Sequence, residues 1–133
     1  MLSEGRTRMD LVQVAQHAGD LDRAESFYTD LLGAEPLARF DPPGLLFYGF
    51  GPVRLLLDRA APSALLYLRV DEIHARVERL RARGVVIESE PHVIFSHETD
   101  VLGPAGADEW QAFIRDSEGN LVGLVEHAAA GLH

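Results

Sequence analysis

The sequence contains no cysteine. Disulfide bonds, thiolate zinc sites, iron–sulfur clusters and a cysteine nucleophile are therefore excluded. Basic residues are also few: 12 Lys and Arg stand against 21 Asp and Glu, which leaves a net charge of −9. Phosphate backbones and anionic membranes repel a chain of that charge. We therefore expect neither nucleic acid nor membrane as a partner.

Long hydrophobic runs are missing as well. No apolar stretch reaches the roughly 20 residues that a membrane span needs, and no long apolar segment follows the first ten residues as it would in a signal peptide. A chain of 133 residues, 47 % hydrophobic and 25 % charged, has the size and composition of one globular domain. We expect a cytoplasmic protein.

The chain repeats one pattern of elements. In each half, a short apolar run is followed by an aspartate that can cap a helix and by a glycine that can end it. These residues are Asp20 and Gly33 in the first half and Asp71 and Gly84 in the second, with equal spacing. The repeat predicts two copies of a strand–helix–strand–strand–strand unit.

Turn signals divide the halves into strands. After the first helix we predict strands at 36–41, 45–50 and 53–58, and after the second at 85–90, 92–97, 110–115 and 121–126. The predicted organisation is a flexible N-terminus at 1–9, a first module at 10–58, a linker at 59–63, a second module at 64–127 and a tail at 128–133. The irregular stretch 98–109 contains Gly and Pro, and we expect it to act as a lid or specificity loop.

Three segments resemble a known family. GDLDRAESFYTDLLGAE, RVDEIHARVERLRARGV and WQAFIRDSEGNLVGLVE are similar to parts of the vicinal oxygen chelate superfamily, the group of glyoxalases, bleomycin resistance proteins and extradiol dioxygenases. The resemblance covers nearly all of residues 11–126. It implies an α+β fold in which two βαβββ modules form a curved mixed sheet around a cavity, with the helices outside. It also implies pairing into a homodimer.

The resemblance further implies where a metal ion would bind. The four ligand positions of metal-using members fall on Gln13, Leu56, Leu65 and Gly123. Only Gln13 carries a donor atom, and one amide oxygen cannot hold a divalent ion in water. We therefore expect no metal cofactor.

A metal assembled from other residues is the alternative, with Zn, Ni, Mn or Fe as the ion. A set of Gln13, Asp58 and His127 would need a favourable stagger of the strands. His92 and His97 differ in parity, so one regular strand would place them on opposite faces.

Strand alternation predicts the residues that line the cavity. The candidate ligand-binding residues are Gln13, His17, Arg54, Tyr67, Arg69, His92 and Trp110. The two arginines can clamp a carboxylate or phosphate, and the two aromatic side chains can stack on a flat ligand. Alternatively, the arginines form surface ion pairs and the aromatic residues pack in the core or at a dimer interface.

His92 is a candidate acid or base, because imidazole titrates near neutral pH; its alternative is a structural role. The expected function is binding of a small organic molecule in the cavity without a catalytic metal. The alternatives are a divalent-metal-dependent lyase, isomerase or dioxygenase with displaced ligands, and a metal-free acid–base enzyme that uses His92 or His17. Whether the chain is an enzyme stays open at this point.

Overall fold

The computed structural model describes residues 10–131. The predicted flexible N-terminus at 1–9 and residues 132–133 of the predicted tail lie outside the described residues. The chain divides into two compact units, an N-terminal unit of residues 1–64 and a C-terminal unit of residues 65–133. None of the helices between residues 10 and 131 is long and apolar enough to cross a bilayer.

The N-terminal unit has the predicted order of elements. It contains β1 (Gln13–His17), α1 (Leu21–Leu32), β2 (Ala38–Phe40), β3 (Leu45–Phe50) and β4 (Val53–Asp58). Its sheet has the order β1-β4-β3-β2, with β1 parallel to β4 and the other pairs antiparallel.

The C-terminal unit repeats this topology. It contains β5 (Leu66–Arg69), α2 (Ile73–Ala82), β6 (Ile87–Ser96), β7 (Ala107–Arg115) and β8 (Leu121–Ala129). The sheet order is β5-β8-β7-β6, again with one parallel pair, β5 and β8. The predicted α+β class with two βαβββ modules is confirmed.

The ends of α1 form as the sequence predicts. The side chain of Asp20 accepts a hydrogen bond from the backbone N–H of Arg23 at 3.0 Å. Gly33 has a φ of +66° and donates its N–H to Thr29 O, which closes the helix in the left-handed conformation that favours glycine. The buried stripe of the helix consists of Leu21, Ala24, Tyr28 and Leu31.

The prediction for the start of α2 is wrong. Asp71 does not cap this helix; Glu72 occupies the N-terminal cap position and its side chain makes no capping bond. The carboxylate of Glu126 on β8 accepts the backbone N–H groups of Glu72 and Ile73, each at 2.9 Å. The first amides of a helix need acceptors, and here the acceptor comes from a residue far along the chain.

The strand boundaries of the second half also differ from the prediction. The two strands expected at 85–90 and 92–97 are one strand, β6, which carries register shifts along its pairing with β7. Pro91 is tolerated because β6 lies at the sheet edge. β7 begins three residues earlier than expected, at Ala107, and β8 continues to Ala129. The irregular segment is therefore residues 97–106.

One face of each sheet is buried, with the parity that the sequence predicts. Leu55 and Leu57 on β4 and Val122 and Leu124 on β8 are buried, and α2 contacts β6, β7 and β8. Val12, which strand alternation predicts on this packed face, is exposed and precedes the first residue of β1. The other face of each sheet carries the candidate ligand-binding side chains except Trp110. Trp110 has the parity of the buried Ala112 and Ile114 on β7 and meets His74 of α2, so it lies on the face that packs against the helix.

Candidate metal centre

Two histidines and a glutamate converge at one end of the C-terminal sheet. Nε2 of His97 lies 2.9 Å from Oε1 of Glu109, and Nε2 of His127 lies 3.0 Å from the same oxygen. The three ligand atoms lie within 4.8 Å of one another. We name this set, His97, Glu109 and His127, the His–Glu–His cluster.

The strand pairing of the C-terminal sheet assembles the cluster. Glu109 on β7 is the register partner of His127 on β8, and partners across two antiparallel strands project from the same face. His97 directly follows β6 and is fixed on both sides of its peptide: its N–H donates to Ala107 O and its carbonyl accepts from Gly106 N, both at 2.8 Å. β7 and β8 therefore supply one ligand each, and the residue after β6 supplies the third.

A further side chain orients the carboxylate of Glu109. Nε2 of Gln111 donates to Oε2 of Glu109 at 2.7 Å. Oε1 is thereby directed to the two histidines while Oε2 is held by the amide. Side chains that fix a ligand in this way are a usual part of protein metal sites.

The carboxyl group of Glu109 is held in its ionised form. Burial raises its pKa, but hydrogen bonds from Gln111, His97 and His127 outweigh burial, and the pKa of Glu109 lies below its ordinary value. An ionised carboxylate accepts the N–H groups of both imidazoles in the absence of metal. A divalent ion would take the place of those two protons.

The backbone of the segment 97–106 covers one side of the cluster. A Cβ atom at Gly103 would lie 2.7 Å from Cε1 of His97, 2.9 Å from its Nε2 and 3.1 Å from Cε1 of His127. Both imidazoles are thus in close contact with the glycine, and a side chain at this position would displace them. The segment covers the cluster, which agrees with part of the lid hypothesis; contact with a ligand stays a prediction.

The remaining side of the cluster opens into a cleft. The side chain of His97 is only 3 % exposed and that of Glu109 11 %, whereas that of His127 is 22 % exposed. His127 lines a cleft of about 440 Å³. The other lining residues are Arg69, Val70, Asp71, Pro104 and Glu126.

The donor set fits a divalent transition-metal ion. Two imidazole nitrogens and one carboxylate oxygen bind Zn²⁺ in catalytic sites and non-haem Fe²⁺ in oxygenases, with coordination positions left for water or substrate. At bond lengths of about 2.0–2.1 Å, tetrahedral ligand atoms lie about 3.3–3.4 Å apart. To admit an ion, the two distances to Oε1 of Glu109, 2.9 and 3.0 Å, need to widen slightly, and the two imidazole nitrogens, which lie within 4.8 Å of each other, need to adopt a similar spacing.

The positions that the family resemblance implied do not fit an ion. In the N-terminal unit, Oε1 of Gln13 accepts a hydrogen bond from Nε of Arg54 at 3.0 Å, and Leu56 offers no donor. In the C-terminal unit, Leu65 offers none either. That these four positions hold no metal stays a prediction, supported by the single donor side chain among them, Gln13.

Gly123 shows what replaces a ligand at the fourth of these positions. A Cβ atom there would lie 2.7 Å from Cδ2 of Tyr67 and 3.1 Å from Cε1 of Phe113. The two rings meet edge to face with 5.8 Å between centroids. Aromatic carbon occupies the space into which a ligand side chain would project.

The structure brings two of the predicted ligand-binding residues together, Gln13 and Arg54. The guanidinium of Arg54 also lies 5.8 Å from the ring centroid of Phe47. His17, on the same sheet, donates from Nδ1 to Ala61 O at 3.1 Å. These residues form a polar and aromatic strip on the open face of the N-terminal sheet.

Each of the other four candidates contacts a different set of neighbours. Tyr67 packs against Phe113, Arg69 lies in the cleft beside His127, and His92 is exposed, with its Nδ1 bonded to Glu90 O. Trp110 is half-buried and meets the ring of His74 edge to face at 4.8 Å. His74 is exposed.

Sequence reasoning missed two of the three cluster residues. Glu109 was assigned to the irregular stretch, and His97 was judged by its parity with His92, although the register shifts along β6 make that parity unreliable. His127 was considered only together with Gln13 and Asp58. If the predicted strand 110–115 began three residues earlier and the predicted strand 121–126 ended three residues later, Glu109 would lie opposite His127, as it does in the structure.

Comparison with known proteins places the chain in a family. The model described as "Glyoxalase/Bleomycin resistance protein/Dioxygenase superfamily" matches residues 10–124. The cadmium-induced protein CadI of Mycobacterium tuberculosis is 31 % identical over 125 residues, which cover 83 % of this chain and 80 % of the relative.

Solved structures agree with this match. Lactoylglutathione lyase from Agrobacterium tumefaciens is 25 % identical with a TM-score of 0.66, covering 91 % of this chain and 96 % of that one. TnmS3, an antibiotic binding protein from Streptomyces sp. CB03234, shares the fold at 22 % identity with a TM-score of 0.70, covering 92 % and 99 %. The chain therefore belongs to the glyoxalase/bleomycin resistance protein/dioxygenase superfamily.

Proposed function

We propose that this chain is a divalent-metal-dependent member of its superfamily that binds a small organic molecule at an ion held by the His–Glu–His cluster. The observation that carries the proposal is the convergence of two imidazole Nε2 atoms on one carboxylate oxygen. The proposal replaces our expectation of metal-free binding with its alternative, in which the ligands are displaced from the family positions.

The cluster has the features that a reactive metal site requires. His97, Glu109 and His127 would hold the ion, and Gln111 orients the carboxylate. When bound, such an ion acts as a Lewis acid on an oxygen atom of the organic molecule. The backbone at Gly103 shields one side from solvent, and the cleft admits a small molecule at the other. The reaction classes that suit this arrangement are those of the superfamily: lyase, isomerase or dioxygenase.

Two relatives guide the choice of ions for a test. One is named as a cadmium-induced protein and the other as a lactoylglutathione lyase. Cd²⁺ therefore joins Zn²⁺, Ni²⁺, Mn²⁺ and Fe²⁺ in the titrations. Imidazole and carboxylate ligands suit the four first-row ions.

The metal content of the purified full chain tests the proposal. We expect about one ion per chain after purification without chelator, and rebinding of one ion when chelator-treated protein is titrated calorimetrically. The variant Glu109→Gln should retain the fold and lose this binding. His92→Ala is the matched control, because His92 is an exposed histidine on β6 whose imidazole bonds to Glu90 O on the same strand.

Two results would contradict the proposal. A wild-type chain that binds none of the five ions at micromolar concentration would refute it. So would a Glu109→Gln variant that binds them as tightly as wild type does. Circular dichroism of each variant separates loss of the site from loss of the fold.

A second candidate function, metal-free binding of an organic molecule, has its own support. Tyr67 is 53 % exposed and lies edge to face against Phe113 over Gly123. An exposed aromatic pair on an open sheet face can stack a flat ligand, and an antibiotic binding protein shares the fold. Thermal stabilisation of chelator-treated protein by flat organic ligands, abolished by Tyr67→Ala, would favour this function.

Homodimerisation and a cytoplasmic location also belong to the proposal. The family resemblance supports the first and the absence of cysteine suits the second. Light scattering of the purified chain tests the dimer, and a monomer across the micromolar range would contradict it.

A further inference from the structure

We infer that the organic molecule taken by this site carries an anionic group, a carboxylate or a phosphate, and that Arg69 binds it. The inference rests on the proposed function, because it places the anion in the cleft beside the His–Glu–His cluster. It names the chemical class of the ligand, which the metal ligands alone do not define.

The first observation is the state of the Arg69 guanidinium. Arg69 is the last residue of β5 and is exposed at the cleft. Among the residues that the structure describes, none forms a hydrogen bond or ion pair with its side chain. Arg81 and Arg115, on the same unit, each bond to a glutamate instead. The cleft thus holds an arginine whose charge is available to a ligand.

The acidic residues of the cleft do not neutralise Arg69. Both carboxylate oxygens of Glu126 accept backbone N–H groups at the start of α2. Asp71 lines the same cleft but forms no ion pair with Arg69 among the described contacts. The negative charge of Asp71 repels an anion in the cleft. Removal of that charge should therefore strengthen anion binding, which gives a second test of the inference.

The second observation is the route to the ion. The cluster is closed by Gly103 on one side, and its exposed member, His127, lines the same cleft as Arg69. A molecule that reaches an ion at His127 through this cleft passes Arg69. The planar guanidinium binds carboxylate and phosphate through two parallel hydrogen bonds. An anionic ligand can therefore be held at Arg69 while one of its other oxygen atoms meets the ion.

Binding to Co²⁺-loaded protein tests the inference, because the visible absorption of Co²⁺ changes when an oxygen ligand joins it. The carboxylate probes are glycolate, 3-hydroxypropionate and 4-hydroxybutyrate; their methyl esters are the neutral controls, and inorganic phosphate represents the other anion. We expect the best of the anions to bind at least about tenfold more tightly than any of the esters, which is about 1.4 kcal/mol.

Two variants change this preference in opposite directions. Arg69→Gln should weaken anion binding about tenfold and leave ester binding unchanged, whereas Asp71→Asn should strengthen anion binding. Arg81→Gln is the matched control and should leave the preference as in wild type. Whether the best probe is a hydroxy acid or phosphate identifies the anionic group.

The outcomes separate this inference from the proposed function. If Co²⁺ binds but wild type and Arg69→Gln discriminate equally between anions and esters, the inference fails and the metal site stands. If the cluster binds neither Co²⁺ nor any of the five ions named above, the proposed function fails and takes the inference with it. Equal binding of acids and esters by the wild type would also overturn the inference.

Discussion

The two units share one topology but differ in how far their strands extend. In the N-terminal unit β3 and β4 have six residues each, whereas the corresponding β7 and β8 of the C-terminal unit have nine. Glu109 and His127 lie in this additional length. The difference supports the view that the repeated βαβββ unit supplies a scaffold and that the proposed ion site lies in an extension present in one copy.

The clefts of the two units differ in whether their arginine is paired with carboxylates. A cleft of about 810 Å³ on the N-terminal unit is lined by Arg39 together with Asp22 and Glu25. Arg39 donates hydrogen bonds to both of these carboxylates at 2.8 Å, and these bonds raise the pKa of Arg39. Its charge is satisfied within the unit. Between residues 10 and 131, Arg69 in the C-terminal cleft has no such acceptor.

The largest expected effect comes from a pair of histidine variants, one in each unit. His127→Ala should weaken ion binding by about 100-fold or more, because it removes a ligand rather than a group that only orients one. His17→Ala should not change ion affinity, since Nδ1 of His17 bonds to Ala61 O. Calorimetric titration of both variants with Zn²⁺ makes the measurement. Equal Zn²⁺ affinities of the two variants would contradict an ion site that lies in the C-terminal unit.

The next effect concerns the orientation of Glu109. Gln111→Leu removes the hydrogen bond to Oε2 of Glu109 and should weaken ion binding about 10- to 100-fold. Gln13→Leu removes the corresponding type of side-chain bond, to Arg54, in the N-terminal unit and should have no effect on ion affinity. A loss of similar size in both variants would contradict a site confined to the C-terminal unit.

A smaller effect is expected from the segment that covers the cluster. Gly103→Ala should weaken ion binding on the order of tenfold, because its Cβ would displace the imidazole of His97. Gly106→Ala is the control: its φ of +85° makes a side chain strained there, but nothing lies within 4 Å of the added Cβ. If both variants lose ion affinity equally, a general distortion of the segment 97–106 rather than displacement of the imidazole explains the loss.

The smallest effect is a pH dependence of stability without metal. The pKa of Glu109 in the folded chain lies below its ordinary value of 4.5. Its ionised form therefore contributes stability above that value, and the contribution is lost as the pH falls through the folded pKa. The urea midpoints of wild type and Glu109→Gln should differ at pH 7, and the difference should shrink as the pH falls below 4.5. A constant difference down to pH 3 would contradict this.

The sequence predicts the fold well because its signals are local. Asp20 and Gly33 mark the ends of α1, and hydrophobic alternation places Leu57 and Leu124 on the buried faces. Where a partner is distant in sequence, prediction fails. Nothing local to α2 shows that Glu126 rather than Asp71 meets its first amides.

The candidate site illustrates the same limit. The sequence offers His97 and His127 as separate candidates and places Glu109 in the irregular stretch. The three residues meet only through the pairing of β6, β7 and β8, and the register shifts of β6 cannot be read from side-chain alternation. Arg69 was identified from the sequence as a possible anion clamp. That its charge is unneutralised depends on where Glu126 and Asp71 lie, which only the structure describes.

Anomalous diffraction at the zinc absorption edge, from crystals of the Zn²⁺-loaded full chain, tests the central claim most directly. We predict one strong anomalous peak within bonding distance of Nε2 of His97, Oε1 of Glu109 and Nε2 of His127. A peak beside Gln13 instead, or no peak between these three side chains at saturating Zn²⁺, would contradict the account.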